Sequence, residues 1–392
     1  MAKNGSKRAA HGSGTIRQRK DGTWEARFTV GRDPGSGKQR QKSVYGKTEA
    51  EVAQKLRTIT HEIDAGAYKE PSRMTVNQWL KIWLEEYTGS VKENTLVSYR
   101  VQVEHNIVPA IGALKLSGVQ PHHIQAAINK LSKRTVKPLS AKSVKNVFGV
   151  LHKAMGQAVL NGYLTKNPCD GVQLPRVTKK EILPLNEPEI HSFLGAIKGH
   201  RNEIVFRVAL FTGMREAELM GLTWDRIDFK AGTILVDRQM IHEKKKGGAY
   251  KFAPTKTSNS RRIRPASVVM SWLQAWKKEQ AVQRLSMGEQ WNKDFENLVF
   301  TDPLGRHLSN TTLTHEAKRL GEKIGKPGFR FHDLRHSYAT AAIRAGDDLK
   351  SISTNLGHAS ISITMDVYAA FTEDMARASS QRMDSYMKVF GL

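Results

Sequence analysis

Cysteine is nearly missing from this chain: Cys169 is the only one in 392 residues. An internal disulfide is therefore excluded, and a reducing compartment is expected. Cys169 reads as a small buried or half-buried thiol. Long apolar runs are missing too. No stretch reaches the roughly 18 residues that would suggest a spanning helix, so no membrane anchor is expected. The opening MAKNGSKRAAHGSG is basic with no apolar stretch behind it, which predicts no secretory signal. Internal repeats and long low-complexity segments are not evident. Acidic residues are the last shortage: 37 Asp and Glu face 62 Lys and Arg, for a net charge of +25 and a pI near 10. Such a surplus speaks to partners rather than to fold. A polyanion is the first candidate, a membrane surface the second.

The length predicts two or three domains, and an apolar fraction of 39% is enough for packed cores. Residues 1–70 form a first segment, with twelve Lys or Arg and three acids up to Lys47. TIRQR (15–19) and TWEARFTV (23–30) read as strands joined by a turn at Asp21-Gly22, and RQKSVYG (40–46) reads as a third. Trp24, Ala26, Phe28 and Val30 alternate onto one face, leaving Glu25, Arg27 and Thr29 on the other. Thr48 then opens a helix to about Gly66, with Glu51 as its capping-box partner. Arg17, Arg19, Arg27, Arg40 and Lys42 can share the open face of this sheet. A ribbon of that width fits the DNA major groove, where Arg reads guanine edges. A merely solvated basic face is the alternative.

Residues 74–175 predict a helical segment. TVNQWLKIWLEEY sets Val76, Trp79, Leu80, Trp83, Leu84 and Tyr87 at helical spacing, which reads as core. Further helices are expected around 93–109, 121–132 and 140–161, the last capped by Ser140. The basic residues between them suit phosphate contacts, although each alone reads as a solvated charge. NGYLTKNPCDGVQLPRVTKKE (161–181) has the Pro, Gly and Lys content of a linker, and the third segment runs over 180–392.

Four short blocks stand out in that third segment: TGMREAEL (212–219), PTKTSNSRR (254–262), FHDLRHSYAT (331–340) and LGHASISITMDVY (356–368). They hold two fixed cations, Arg215 and Arg335; one amine, Lys256; two imidazoles, His332 and His358; and a late tyrosine, Tyr368. These are the parts needed to break and rejoin a phosphodiester through a covalent protein link. Arginine offers a permanent charge and a rigid fork that grips two phosphate oxygens. A lysine with its pKa lowered by nearby cations can protonate a leaving 5′-oxygen. A phenol, with a pKa near 10, is a weak nucleophile until cations stabilise its phenolate. Glu218 lies on the helix face of Arg215, three residues on, as an orienter. A rival reading makes His332 and His336, four apart, a metal pair with His358 as third ligand; it would set Arg335 beside a cation. His336 otherwise reads as structural, Tyr338 as core, and Tyr386 as the competing nucleophile.

In this order and spacing the blocks resemble those of the tyrosine recombinase (phage integrase) family, found in phages and conjugative transposons. The likeness is close over 180–370 and looser before it. It implies a multidomain chain, mostly α with small β-sheets. A three-stranded sheet plus helix (1–70) would bind arm-type DNA sites, a helical domain (74–175) would bind the core site, and a mixed α/β domain (180–392) would carry catalysis. The resemblance assigns catalytic roles to Arg215, Lys256, His332, Arg335, His358 and Tyr368, with no metal and no cofactor. Tyr368 would form a 3′-phosphotyrosine, and strands would exchange through a Holliday junction to integrate or excise a mobile element. The implied partners are double-stranded DNA with core and arm attachment sites, three further copies in a tetramer, and accessory excision or host DNA-bending proteins. The implied place is the bacterial cytoplasm, on the nucleoid. A resolvase-type recombinase, a type IB topoisomerase using the same groups, and a catalytically silent DNA-binding regulator are the alternatives. The tail from Thr372 reads as helical, with Met383, Met387 and Phe390 on one stripe. It would pack on its own domain or, as in relatives, on a neighbouring protomer.

Overall fold

The computed structural model describes residues 14–32, 35–64, 74–178, 184–243, 248–255 and 260–357, together with 380, 383–384 and 386–391 of the tail. It divides into two compact units, Met1–Val177 and Thr178–Leu392. The architecture is mostly helical with small antiparallel sheets. Among the described residues no helix is long and apolar enough to cross a membrane.

The first unit opens with strands Thr15–Gln18 (β1), Trp24–Arg32 (β2) and Gln39–Gly46 (β3), paired antiparallel in that order and followed by helix Glu49–Asp64 (α1). Gly22 makes the first turn at φ 82°, with Arg19 N–H donating to the Thr23 carbonyl at 2.8 Å. Ala26 and Phe28 pack on Val52 and Leu56 of α1, with Trp24 and Val30 at the margin. The cap of α1 is offset by one residue from the expected box. Thr48 accepts from Glu51 N–H, while the Glu51 carboxylate takes the N–H of Lys47.

A second core belongs to the helices Val76–Glu86 (α2), Glu93–Gln102 (α3), Val108–Ile111 (α4), Pro121–Ser132 (α5) and Ala141–Leu160 (α6). Trp79 is fully buried, and its indole donates to the Ala154 carbonyl at 2.9 Å, tying α2 to α6. Thr75 and Gln78 form a capping box for α2, and Ser140 caps α6 by accepting from Ser143 N–H. Between α3 and α4 the helix widens to a π turn over Val103–Ile107. Pro109 has no N–H for the carbonyl four residues back. That carbonyl, on His105, accepts from Arg134 instead. Two expectations shift here. Tyr87 is not core: it is half exposed where α2 ends, and its hydroxyl accepts from Asn161. The linker also starts later than composition suggests. Leu164 and Cys169 are buried in this bundle, and Val172 and Leu174 pack against it. Burial comes first among the causes that push the Cys169 thiol up to about 12.

The second unit contains Glu187–Ile197 (α7), Glu203–Thr212 (α8), Glu216–Met220 (α9), Ser267–Met287 (α10), Asn310–Lys323 (α11), Phe331–Arg344 (α12) and Leu349–Leu356 (α13). Its strands are Ile227–Asp228 (β4), Thr233–Val236 (β5), Arg238–His242 (β6), Tyr250–Pro254 (β7) and Arg261–Ile263 (β8). The segment TILVDRQM (233–240) forms two strands separated at Asp237. Before the break, β5 pairs with β4 and β8; after it, β6 forms a hairpin with β7. Phe193, Phe206 and Phe300 anchor the core at 0–1% exposure, each contributing roughly 1.5–3 kcal/mol over an exposed position. The Ser337 hydroxyl of α12 accepts from Leu185 N–H at 2.9 Å and fixes the start of the unit. In the tail, Met383, Met387 and Phe390 are exposed, as is Tyr386, whose ring lies 5.2 Å from that of Phe390.

Candidate active site

Helix α8 is apolar almost throughout and ends at Gly213, in the left-handed conformation at φ 62°. A Cβ there would lie 2.5 Å from both Tyr338 and Leu356, so only glycine permits this reversal. The reversal places Arg215 at the N-cap of α9. Glu218, on the first turn of α9, accepts from Arg215 N–H at 2.9 Å and from Arg215 Nη1 at 2.7 Å. Arg215 Nη2 donates to the Gly357 carbonyl at 2.7 Å. Gly357, left-handed at φ 64°, closes α13.

Arg335 comes from α12 and is buried. Its Nη1 donates to the Gly213 carbonyl at 2.7 Å and its Nη2 to the Leu356 carbonyl at 2.6 Å. The two arginines thus brace the same pair of turns, after α8 and after α13. Each guanidinium has five N–H donors, so both retain donors for an anion. Burial, then the charge of Arg215, pulls the Arg335 pKa down to about 9. It stays charged at neutral pH.

Glu218 is 1% exposed, yet its pKa falls. Burial alone would raise it; the bonds and charge of Arg261, then those of Arg215, outweigh that. Arg261 forks onto it, Nη1 to Oε1 at 3.0 Å and Nη2 to Oε2 at 2.7 Å. Sequence reasoning missed Arg261: within PTKTSNSRR only Lys256 was singled out. Its signal was an arginine entering a strand five residues beyond Lys256, in a block already rich in cations.

His332 stands in the first turn of α12 and is exposed. Its pKa is nonetheless drawn down to about 4, by desolvation first and then by the charges of His336 and Arg335. It is a neutral imidazole at neutral pH, its ring edge-on to His336 at 5.0 Å. Tyr338 is half-buried against the small core of α12 and α13, as expected. The structure therefore brings Arg215, Glu218 and Arg335 together, with His332 beside Arg335. Lys256, His358 and Tyr368 lie outside the described residues. Their described neighbours are Thr255, which is buried, and Gly357.

The basic sheet departs from expectation. Register pairs Arg17 with Glu25, Glu25 with Tyr45, and Arg27 with Ser43, so these share the open face. Arg19 joins them, its guanidinium 5.4 Å from the Tyr45 ring. Lys42 pairs instead with Phe28, and Arg40 shares the parity of Lys42 and Val44, on the face that carries α1. The five cations therefore do not share one face. Glu25, expected to be open, is buried among Arg17, Arg27 and Ser43. The Ser43 hydroxyl first, then Arg17, holds its carboxyl down at about 2.

A phage integrase family model matches residues 180–374, and a phage integrase N-terminal SAM-like domain model matches residues 75–132. The tyrosine recombinase XerC-like protein of Caldanaerobacter subterraneus subsp. tengcongensis is 33% identical over 356 residues, covering 87% of this chain and 90% of the relative. An integrase of Streptomyces ambofaciens is 25% identical over 390 residues, 98% of each chain. Among solved structures, the Tn1549 transposon integrase in complex with a circular intermediate DNA superposes with a TM-score of 0.66 at 25% identity, over 79% of this chain and 99% of that one.

Proposed function

Because this chain belongs to the phage integrase family, the tyrosine recombinases that cut and rejoin DNA at specific sites, we propose that its chemistry is phosphoryl transfer to Tyr368. The Tyr368 phenol oxygen attacks the scissile phosphorus, the bond to the 5′-oxygen breaks, and a 3′-phosphotyrosine forms. Lys256 gives the departing 5′-oxygen its proton. Arg215 and Arg335 hold the non-bridging oxygens and neutralise the charge that grows on them in the transition state. His332, being neutral, has a ring nitrogen free to take the phenol proton; a phosphate beside it raises its pKa towards that task. His358 donates a hydrogen bond to the phosphate, and Glu218 orients Arg215. The freed 5′-hydroxyl then attacks the matching link on a partner duplex, so no bond energy is lost.

The observation that carries this reading is the pairing of Arg215 and Arg335 across the turns at Gly213 and Leu356-Gly357. Backbone carbonyls, which carry no charge, hold Arg335 there, and the one carboxylate of Glu218 is shared by Arg215 and Arg261, so the cluster keeps a net positive charge. A site so charged favours a bound dianionic transition state. Exchange of two duplexes needs four cleavages, hence four Tyr368 groups and a tetramer on the Holliday junction. We assign residues 1–70 to arm-type sites, with Arg17, Arg19 and Arg27 facing DNA, and Arg40 and Lys42 reaching phosphates from the sheet's margin. Residues 74–175 clasp the core site and 180–392 carry catalysis. Excision and host DNA-bending proteins set direction, in the bacterial cytoplasm.

The test is a denaturing gel of the protein with a nicked duplex carrying the end of its element, in chelator. Wild type should give a shifted covalent band and Tyr368→Phe none. A band that survives in Tyr368→Phe moves the nucleophile elsewhere, Tyr386 first. Tight binding without any band favours a silent regulator.

A further inference from the structure

Arg261 has no role in the chemistry above, yet it is the most heavily committed arginine of the site. Its side chain is 9% exposed. Besides the fork onto Glu218, its Nε donates to the Asn355 carbonyl at 2.7 Å. All three nitrogens therefore face interior acceptors. Those acceptors sit on separate elements: Glu218 on α9, Asn355 near the end of α13, with Arg261 itself opening β8. Gly357 is packed so closely on it that a Cβ there would lie 3.0 Å from Arg261 Nη1.

We propose that Arg261 is a positioning residue for strand cleavage: it holds Glu218 against Arg215 and pins the turn that precedes His358. The inference rests on the recombinase reading of the site. Glu218 has two oxygens and two arginines to serve. With Arg261 in place, Oε1 lies between both guanidiniums and Oε2 between Arg261 and Arg215 N–H, so the carboxylate has one orientation. Without Arg261 it can swing, and the Arg215 fork swings with it. The same loss frees the Asn355 carbonyl at the end of α13, whose next turn carries the Gly357 carbonyl that Arg215 also holds. Lysine cannot replace it, because one ammonium cannot span both carboxylate oxygens and a third acceptor in a plane.

The test is single-turnover formation of the covalent band on the nicked duplex, with full-length wild type, Arg261→Ala, Arg261→Lys, Arg215→Ala and the double variant Arg215→Ala/Arg261→Ala. Arg261→Ala and Arg261→Lys should each slow the step about 10- to 100-fold, the scale of a small misplacement of a catalytic group. Their affinity for the duplex should stay at the wild-type value. The double variant should be little slower than Arg215→Ala alone, because Arg261 acts through Arg215. Wild-type rates in the Arg261 variants, or losses that multiply in the double variant, would overturn the proposal. Should Arg261→Ala fail to melt cooperatively, Arg261→Lys keeps the charge and decides: a slow step at wild-type stability supports positioning, a wild-type rate refutes it. If wild type itself gives no band, the recombinase reading falls first and this one with it.

Discussion

Glu216 neighbours Arg215 in sequence but stands apart from the arginines that surround Glu218. Burial pushes its carboxyl up to about 7, the Thr314 hydroxyl opposes this only in part, and Oε1 is buried without a hydrogen-bond partner. In the unfolded chain this group titrates near 4.5. Between the two values the folded protein binds more protons than the unfolded one, so stability is fullest below pH 4.5 and falls as pH rises towards 7. Glu216→Gln removes the charge and so removes that fall. Allowing for the solvent that still reaches the side chain, the gain should be on the order of 1 kcal/mol at pH 8 and near zero at pH 5. Thermal unfolding of the full chain at both pH values measures it; an equal gain at each would refute the assignment. Neither Glu216 nor Arg261 was legible from sequence as a special group. Burial is a tertiary fact, and Arg261 finds Glu218 from 43 positions away. Arg215, Arg335 and His332 were singled out because their blocks resemble those of the family, and Glu218 by its helical spacing from Arg215.

At the scale of elements, period-2 alternation correctly assigned Trp24, Ala26, Phe28 and Val30 to the core side of β2, and period 3.6 assigned Trp79 and Leu80 to that of α2. It was less complete on β3. Val44 packs towards α1, so Lys42 and Arg40, of the same parity, belong to that side. The irregularity between Thr29 and Gly31 falls on β2, at a glycine with φ 135°, the residue type that marks a bulge within a strand. The open face is thus narrower and less positive than composition suggests, because Glu25 binds two of its arginines. This yields a prediction. Glu25→Gln frees Arg17 and Arg27 for phosphates, so binding to an arbitrary duplex at low salt should tighten. The slope of log affinity against log salt should steepen by about 1 to 2, at roughly 0.9 per phosphate neutralised. Titrations of full-length wild type and variant over a salt series check this, and an unchanged slope would remove the open face from the DNA contact.

For the whole molecule, the question is how the charge of +25 divides between recognition and chemistry. The N-terminal sheet closes its own small core from Ala26, Phe28, Val52 and Leu56, and none of these belongs to the core of α2–α6 or to that of the second unit. Among the described residues of 1–70, none contributes a side chain to either of those cores. The pairing of Arg215, Glu218, Arg261 and Arg335 lies wholly within Thr178–Leu392. A chain lacking residues 1–70 should thus form the covalent band on a core site at close to the wild-type rate. It should integrate poorly where arm sites are required, and its salt slope on long duplexes carrying both site types should be shallower, since fewer phosphates are neutralised. The gel and the salt series, run side by side on both chains, separate these outcomes. Lost cleavage on the core site would mean that the N-terminal residues complete the active site. An unchanged salt slope would mean that the early basic residues, dense as they are, contribute little to holding DNA.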